Sequence, residues 1–264
     1  GTLPDTDKAV GVVGSRKSTS YGLKVAGTFA QDLALAGLTI ISGGARGIDT
    51  AAHKGALKAN GKTIAVLGCG IDVIYPYENV DLFKQISKIG AIITEFPPGT
   101  EPLAKNFPAR NRIISGFSQG ILVVEAARKS GAMITAEFAI DEGREVYCIP
   151  GSIFSPTSVG THSLIKQGAK LVQRPEDILE DFHLLLQKQP KEKCDMPDLF
   201  SGMSEDCEIV TNKILTVLNF NEAKTLEEIV TASALPLNVI SSVLLNLQVN
   251  GYIAEQIGKR YIRL

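Results

Sequence analysis

The chain of 264 residues has no tryptophan, only three histidines and four cysteines, and almost no net charge, at −1. Cys69, Cys148, Cys194 and Cys207 form no Cys-x-x-Cys pair and are too few and scattered for a disulfide framework. The histidines have no cysteine or carboxylate cluster at ligand spacing, so a zinc finger is excluded and no metal site is expected. No apolar run approaches the ~20 residues that span a bilayer, which excludes a transmembrane chain. The start, Gly1-Thr2-Leu3-Pro4, lacks the basic and apolar regions of a signal peptide, and a cytoplasmic, reducing location is the expectation. The first residue is Gly rather than Met, which leaves room for a segment upstream. Glycine and proline, at 25 and 12 residues, are too few for a low-complexity chain. The charge balance excludes a protein coated in basic residues, but not a local basic groove. Nucleotide motifs are missing too. There is no G-x-G-x-x-G, and Gly61-Lys62-Thr63 has Ala56 where a Walker A motif needs its first glycine.

What is present is alternation. Short apolar, β-branched runs recur at Ala9–Val13, Thr39–Ser42, Thr63–Leu67, Ala91–Thr94, Gly120–Val124, Glu145–Ile149 and Lys170–Val172. Near-continuous hydrophobic runs of this length fit strands buried on both faces. Between them lie segments of helical period. Residues Ser20 to Ala36 place Leu23, Ala26, Ala30 and Leu33 on one stripe, and Asp49–Asn60, Glu78–Ile89 and Gly131–Glu142 are similar. The pattern predicts an α/β fold, a doubly wound, mostly parallel sheet of extended Rossmann type over residues 1–182. Residues 183–207 are polar, contain two prolines and carry three lysines against five acids, and read as a linker. Residues 208–264 predict a helix at Ile209–Leu218 and a capping box at Thr225 and Glu228. Two helices across a short turn and a hairpin around Gly258 complete a winged-helix layout.

Ligands of doubly wound sheets bind beyond the carboxyl ends of the strands, so the loops there matter most. Gly14-Ser15-Arg16-Lys17-Ser18 follows the first strand, and small residues before a helix N-terminus favour an anion. Ser42-Gly43-Gly44-Ala45-Arg46-Gly47 follows the second and suits a phosphate-cradling nest. Each is equally readable as an ordinary tight turn. Lys105-Asn106-Phe107-Pro108-Ala109-Arg110-Asn111-Arg112 places three cations and an aromatic in a long loop after the fourth strand. Cations that take phosphates and a ring that stacks a base suit single-stranded nucleic acid. The competing reading makes Phe107 a packing anchor and has the arginines cap carboxylates such as Glu95 and Glu125. Arg128-Lys129-Ser130-Gly131 follows the next strand and adds a basic loop to the same rim.

No catalytic residue is expected. Gly116-Phe117-Ser118-Gln119-Gly120 matches the spelling of a nucleophile elbow, but a helix precedes it and a strand follows, the reverse of what that elbow needs. His53 lies in a helix beside Ala51 and Ala52 and reads as a structural residue.

Taken in order, these motifs resemble the DNA-processing protein A family, also called Smf. The resemblance is carried by Gly14-Ser15-Arg16, by Ser42 through His53, and by Val66 through Asp72 with Tyr75-Pro76. It continues through Lys105 to Ser115, Val124-Glu125-Ala126, and Ser130-Gly131 with Thr135-Ala136. It implies an extended Rossmann fold, often followed by a winged-helix-like domain. It also implies a homodimer that binds single-stranded DNA without a cofactor and helps load a RecA-type recombinase during DNA uptake in natural transformation. Carried over, Ser15 and Arg16 contact phosphate and Gly44 lends backbone lining. Lys105, Asn106 and Arg110 bind the strand, and Phe107 stacks a base. Lys17, Arg112 and Arg128 join them as cations of the same sheet edge. One departure is His162, in a stretch read as a loop, where the family commonly has Asn.

Two further expectations concern chemistry and the second domain. Nucleotide phosphoribohydrolases of the lysine-decarboxylase-like class share such a sheet and are the alternative reading. Their Pro-Gly-Gly-x-Gly-Thr-x-x-Glu motif meets Ser130 through Phe138 here, with Phe138 where the catalytic Glu would stand. From Thr225 to Gly258 there is no Lys or Arg, so the second domain is expected to make protein contacts rather than bind DNA.

Overall fold

Each of the seven apolar runs forms a strand: β1 (Ala9–Val13), β2 (Thr39–Ser42), β3 (Thr63–Val66), β4 (Ala91–Ile93), β5 (Gly120–Val123), β6 (Glu145–Cys148) and β7 (Lys170–Leu171). The structure is a computed structural model, and it describes residues 1–182, 205–218, 223–249, 251–256 and 258–263. All strand pairs of this sheet are parallel, in the order β4-β3-β2-β1-β5-β6-β7. Several strands stop one residue short of the apolar run. The N–H groups of Leu67, Val124, Ile149 and Val172 nonetheless still bond the neighbouring strand.

Between the strands lie α1 (Ser20–Leu35), α2 (Ile48–Lys58), α3 (Val80–Ile89), α4 (Asn106–Gly116), α5 (Gly131–Asp141), α6 (Val159–Lys166) and α7 (Glu176–Leu179). The two-residue period of each strand divides its side chains between two cores. Val10, Val12, Ile40 and Leu122 join residues of α1, α2 and α7, while Ala9, Val13, Ile41, Ile121 and Val123 join residues of α4, α5 and α6. Helix α3 closes the β3 end through Leu82, Phe83 and Ile86.

Three sequence expectations are corrected. Leu23 is exposed, and the buried face of α1 is instead Gly22, Ala26, Phe29, Ala30, Leu33 and Ala34. The cationic stretch is not a loop: Asn106 to Arg112 lie in α4, with Lys105 just before it. Pro108 sits in the first helical turn, where backbone N–H groups need no intrahelical partner, so it does not prevent the helix. The stretch around His162, read as a loop, is helix α6.

The chain divides between Leu186 and Gln187, outside the described residues. The second unit contains α8 (Glu205–Val217), β8 (Lys224–Thr225), α9 (Leu226–Ser233), α10 (Leu237–Val249), β9 (Ile253–Gln256) and β10 (Arg260–Arg263). Its sheet is antiparallel in the order β8-β10-β9. Ile214, Ile229, Ile240, Leu244 and Leu247 form its core. The capping box is formed, with Glu228 N–H donating to Thr225 Oγ1 at 3.3 Å and Thr225 N–H to Glu228 Oε2 at 2.7 Å. Helix α8 begins inside the stretch read as a linker, whose residues 183–204 lie outside the described residues.

Helices α1 and α2 meet backbone to backbone. A Cβ at Gly55 would lie 2.2 Å from the Gly27 carbonyl oxygen. Gly55→Ala therefore forces the helices apart and is expected to lower stability by ~1–3 kcal/mol in denaturant unfolding. Unfolding free energy within ~0.5 kcal/mol of wild type, the usual range for inconsequential surface changes, would refute this.

Candidate nucleic-acid interface

From β1 the chain steps outward through β2, β3 and β4, then returns to place β5 against the other side of β1. This reversal opens a crevice at the carboxyl ends of β1 and β5. A cleft of about 930 Å³ occupies it. Its walls are Gly14 to Lys17 after β1, Ala127 to Gly131 after β5, the first turns of α5, the Phe107 to Asn111 side of α4, and Tyr75.

The start of α1, where a doubly wound fold commonly receives a phosphate, is already occupied by the chain's own Glu125. This buried carboxylate accepts from Thr19 N–H at 3.0 Å and Thr19 Oγ1 at 2.6 Å, while Thr19 Oγ1 caps Gly22 N–H at 3.1 Å. Thr157 Oγ1 adds a third donor at 3.3 Å. Helix α2 is filled the same way. Asp49, buried in its first turn, accepts from Ala45 N–H at 3.3 Å. Near each of the two helix starts a carboxylate of the chain thus takes one backbone donor, because a fixed carboxylate complements a helix N-terminus as a phosphate would.

Asp49 faces Arg110. The Arg110 guanidinium is 3% exposed and donates to the Gly43 carbonyl at 2.8 Å, to the Val66 carbonyl, and to Asn111 Oδ1 at 3.2 Å. Burial pushes the Asp49 carboxyl up to about 6, against the pull of the Arg110 charge. Burial, with the nearby charge of Arg16, lowers Arg110 to about 10, so it remains a cation at neutral pH. His53 is buried in α2 with Nδ1 2.7 Å from Thr63 Oγ1, and desolvation holds it neutral, with its pKa down to about 3.

The expected site residues separate into two groups. Ser15, Arg16, Lys17, Phe107, Arg110 and Arg128 line the cleft. Arg16, Lys17 and Arg128 are exposed, and the Arg16 guanidinium lies 4.8 Å from the Phe107 ring centroid. Phe107 is half-buried and packs against Tyr75 at 5.6 Å between centroids. Gly44, Lys105, Asn106 and Arg112 do not line the cleft. Gly44 is buried at φ +64°, and a Cβ there would strike Phe83 at 2.7 Å. Asn106 is buried and donates to the Glu101 carbonyl at 3.4 Å. Lys105 is exposed just before α4, and Arg112 pairs with Glu95 at the surface. Sequence reasoning passed over Tyr75 and Asp49 as cleft residues. It also missed the Ser130 hydroxyl, buried at the start of α5 without a hydrogen-bond partner. Among the described residues no group of three or more His, Cys, Asp or Glu is placed to hold a metal ion, and no single helix is long and apolar enough to cross a membrane.

A family model described as DNA recombination-mediator protein A matches residues 1–183. The chain belongs to this family. Protein Smf of Escherichia coli is 43% identical over 256 residues, which cover 96% of this chain and 67% of that protein. The DNA processing protein DprA of Streptococcus pneumoniae is 49% identical over 173 residues, 66% of this chain and 61% of that one. The X-ray structure of DprA from S. pneumoniae superposes with a TM-score of 0.61 at 48% identity, covering 66% of this chain and 61% of that chain. DNA processing protein A from Helicobacter pylori superposes with a TM-score of 0.62 at 30% identity, covering 67% and 80%. That structure concerns its single-stranded DNA binding mode. The recombination-mediator match thus falls on the unit that carries the cleft.

Two outcomes test the internal anions. Glu125→Gln replaces an acceptor oxygen with a donor facing Thr19 and is expected to cost ~1–3 kcal/mol of stability, read as a lower midpoint of unfolding. An unchanged midpoint would show that the carboxylate does not hold the loops. For Asp49, the folded pKa lies above the ordinary 3.8, so the folded state keeps a proton that the unfolded chain has released. Its contribution is therefore most favourable below pH 3.8 and declines as pH rises through about 6. Asp49→Asn should remove that decline, and parallel pH–stability curves for the two proteins would contradict it.

Proposed function

We propose that the chain binds single-stranded DNA along the cationic rim of this cleft and acts as a non-enzymatic mediator that helps load a RecA-type recombinase during DNA uptake. The observation that carries the reading is the cleft itself. Arg16, Lys17, Arg128 and Lys129 stand on its rim around the Arg16–Phe107 stack. Exposed cations beside an aromatic serve a strand whose phosphates and bases are both accessible. The H. pylori relative, whose structure concerns single-stranded DNA, supports the same choice of partner.

Roles follow from exposure. Ser15, Arg16, Lys17 and Arg128 contact phosphates, and Phe107 with its stacked guanidinium forms the platform for a base. Lys105 and Arg112 extend the phosphate track along α4. Arg112 can exchange Glu95 for a phosphate at little cost, since exposed ion pairs contribute ~0–1 kcal/mol. Gly44, Asn106 and Arg110 act from beneath, holding the loops in shape. Phe138 lies outside the cleft lining, where the phosphoribohydrolase alternative would need its catalytic Glu. The protein works as a cytoplasmic homodimer. The winged-helix-like second unit serves protein contacts, as the cation-free surface of α10 favours.

Titration of single strands against salt tests the reading. Affinity should fall with a log–log slope of about −0.7 per phosphate neutralised, and Arg16→Ala should make the slope shallower by about one phosphate. Phe107→Ala should weaken binding by ~1–3 kcal/mol. A slope near zero, or equal affinity for duplex, would overturn it.

A further inference from the structure

The loop between β6 and α6 presents two large apolar side chains to solvent, Ile153 at 78% and Phe154 at 90% exposure. Nothing in the fold uses them, although burying such a side chain is worth about 1.5–3 kcal/mol. The loop is nevertheless held in place. At its base Tyr21 Oη donates to the Pro150 carbonyl at 2.9 Å, and His162 Nε2 lies 3.1 Å from the Gly151 carbonyl oxygen. At its tip Ser155 N–H bonds the Ser152 carbonyl at 3.0 Å, Phe154 N–H bonds Ser152 Oγ at 3.3 Å, and the Ser155 and Thr157 hydroxyls are 2.8 Å apart. His162 thus has a structural task, closing the loop that carries Phe154.

The same loop forms part of the cleft wall. Thr157 lines the cleft, and its carbonyl accepts from Ala126 N–H at 2.7 Å, which joins the loop to the segment carrying Arg128 and Lys129. Phe154 therefore stands three residues along the chain from the wall, on the loop that follows the strand paired with β5. Residues 149–158 contain no charged side chain. This tip cannot take phosphates, but it adjoins cations that can.

We propose that Phe154 is a second base-stacking platform, met by a single strand as it leaves the cleft across the β6 side. The proposal rests on the single-strand reading above. An exposed ring on a loop joined to a cationic rim accepts any base, because every base has a π-face. The pre-formed loop also limits the ordering cost of contact.

The absence of tryptophan makes the test direct, because Phe154→Trp creates the only indole in the chain. Oligothymidylate should quench its emission along the same isotherm as binding. Phe154→Ala should weaken binding by about 5- to 150-fold, the loss of one stacked base, with the salt slope unchanged. Leu35→Ala, which removes an exposed apolar side chain at the C-terminal end of α1, outside the cleft lining, should leave affinity unchanged. Affinity within two-fold of wild type for Phe154→Ala, with no quenching in Phe154→Trp, would overturn the proposal. So would a shallower salt slope, which would make the effect electrostatic. A lower mass by light scattering with unchanged DNA affinity would also overturn it and assign the tip to a contact between copies. Failure of the wild type itself to bind single strands would instead bring down the underlying reading.

Discussion

The Arg110 guanidinium is the constraint around which the carboxyl edge of the sheet is organised. Parallel strands end in carbonyl groups that point out of the sheet, and buried ones need donors. Arg110 supplies them at the ends of β2 and β3, through Gly43 and Val66. Desolvating a guanidinium is expensive, by several kcal/mol, and is tolerated only with good geometry and further hydrogen bonds. The Asn111 amide oxygen and the charge of Asp49 complete that environment. Asn111 then donates to the Gly131 carbonyl at 3.0 Å and ties α4 to the start of α5. One cation beneath the surface thus fixes the loops after β2, β3 and β5, and Phe107 rides above it with its ring centroid 5.9 Å from the guanidinium.

Carboxylates fix the remaining geometry. Glu125 takes the Thr19 N–H at the start of α1 and Asp49 the Ala45 N–H ahead of α2, so a carboxylate of the chain already stands at each helix start. Gly22 shows how tightly this is built, since a Cβ there would meet Glu125 Oε2 at 2.4 Å. The exposed cations of the cleft, Arg16, Lys17, Arg128 and Lys129, are instead long side chains on its rim. Backbone nests suit one diphosphate held in one pose, whereas lysine and arginine on a rim suit repeated phosphates along a polymer.

The strands were legible because burial on both faces leaves an unmistakable run of β-branched residues, as in Thr39–Ser42 and Thr63–Val66. Helix α4 was not. Its inward stripe is Asn106, Arg110 and Ile114, spaced by four, and two of the three are polar. Hydrophobic periodicity does not register such a stripe, and Pro108 argues for a loop unless its place in the first turn is known. Arg110 and Arg112 lie two residues apart, yet one is 3% exposed and the other forms a surface ion pair. Composition treats them alike, and only the helical phase separates them. The ordered motifs identified the family, but a motif residue can lie buried and hold neighbouring segments together, as Gly44, Asn106 and Arg110 do.

Net charge misleads for a related reason. The average of −1 counts every group equally, although the groups differ in what they can still attract. Arg46 pairs with Glu78, Arg112 with Glu95, Lys170 with Asp181, and Arg174 with Asp177. Arg110 and Asp49 oppose each other inside the fold. Arg16, Lys17, Arg128 and Lys129 pair with no carboxylate among the described residues, and all four stand on one cleft. Screening at physiological salt confines a charge's reach to about 8 Å, so an approaching polyanion feels those four cations and the Glu137 carboxylate that lines the same cleft more than the acids on distant helices. A nearly neutral chain can therefore gather four unpaired cations on one cleft, because several of its acids lie at its own helix ends or beside cations that face elsewhere.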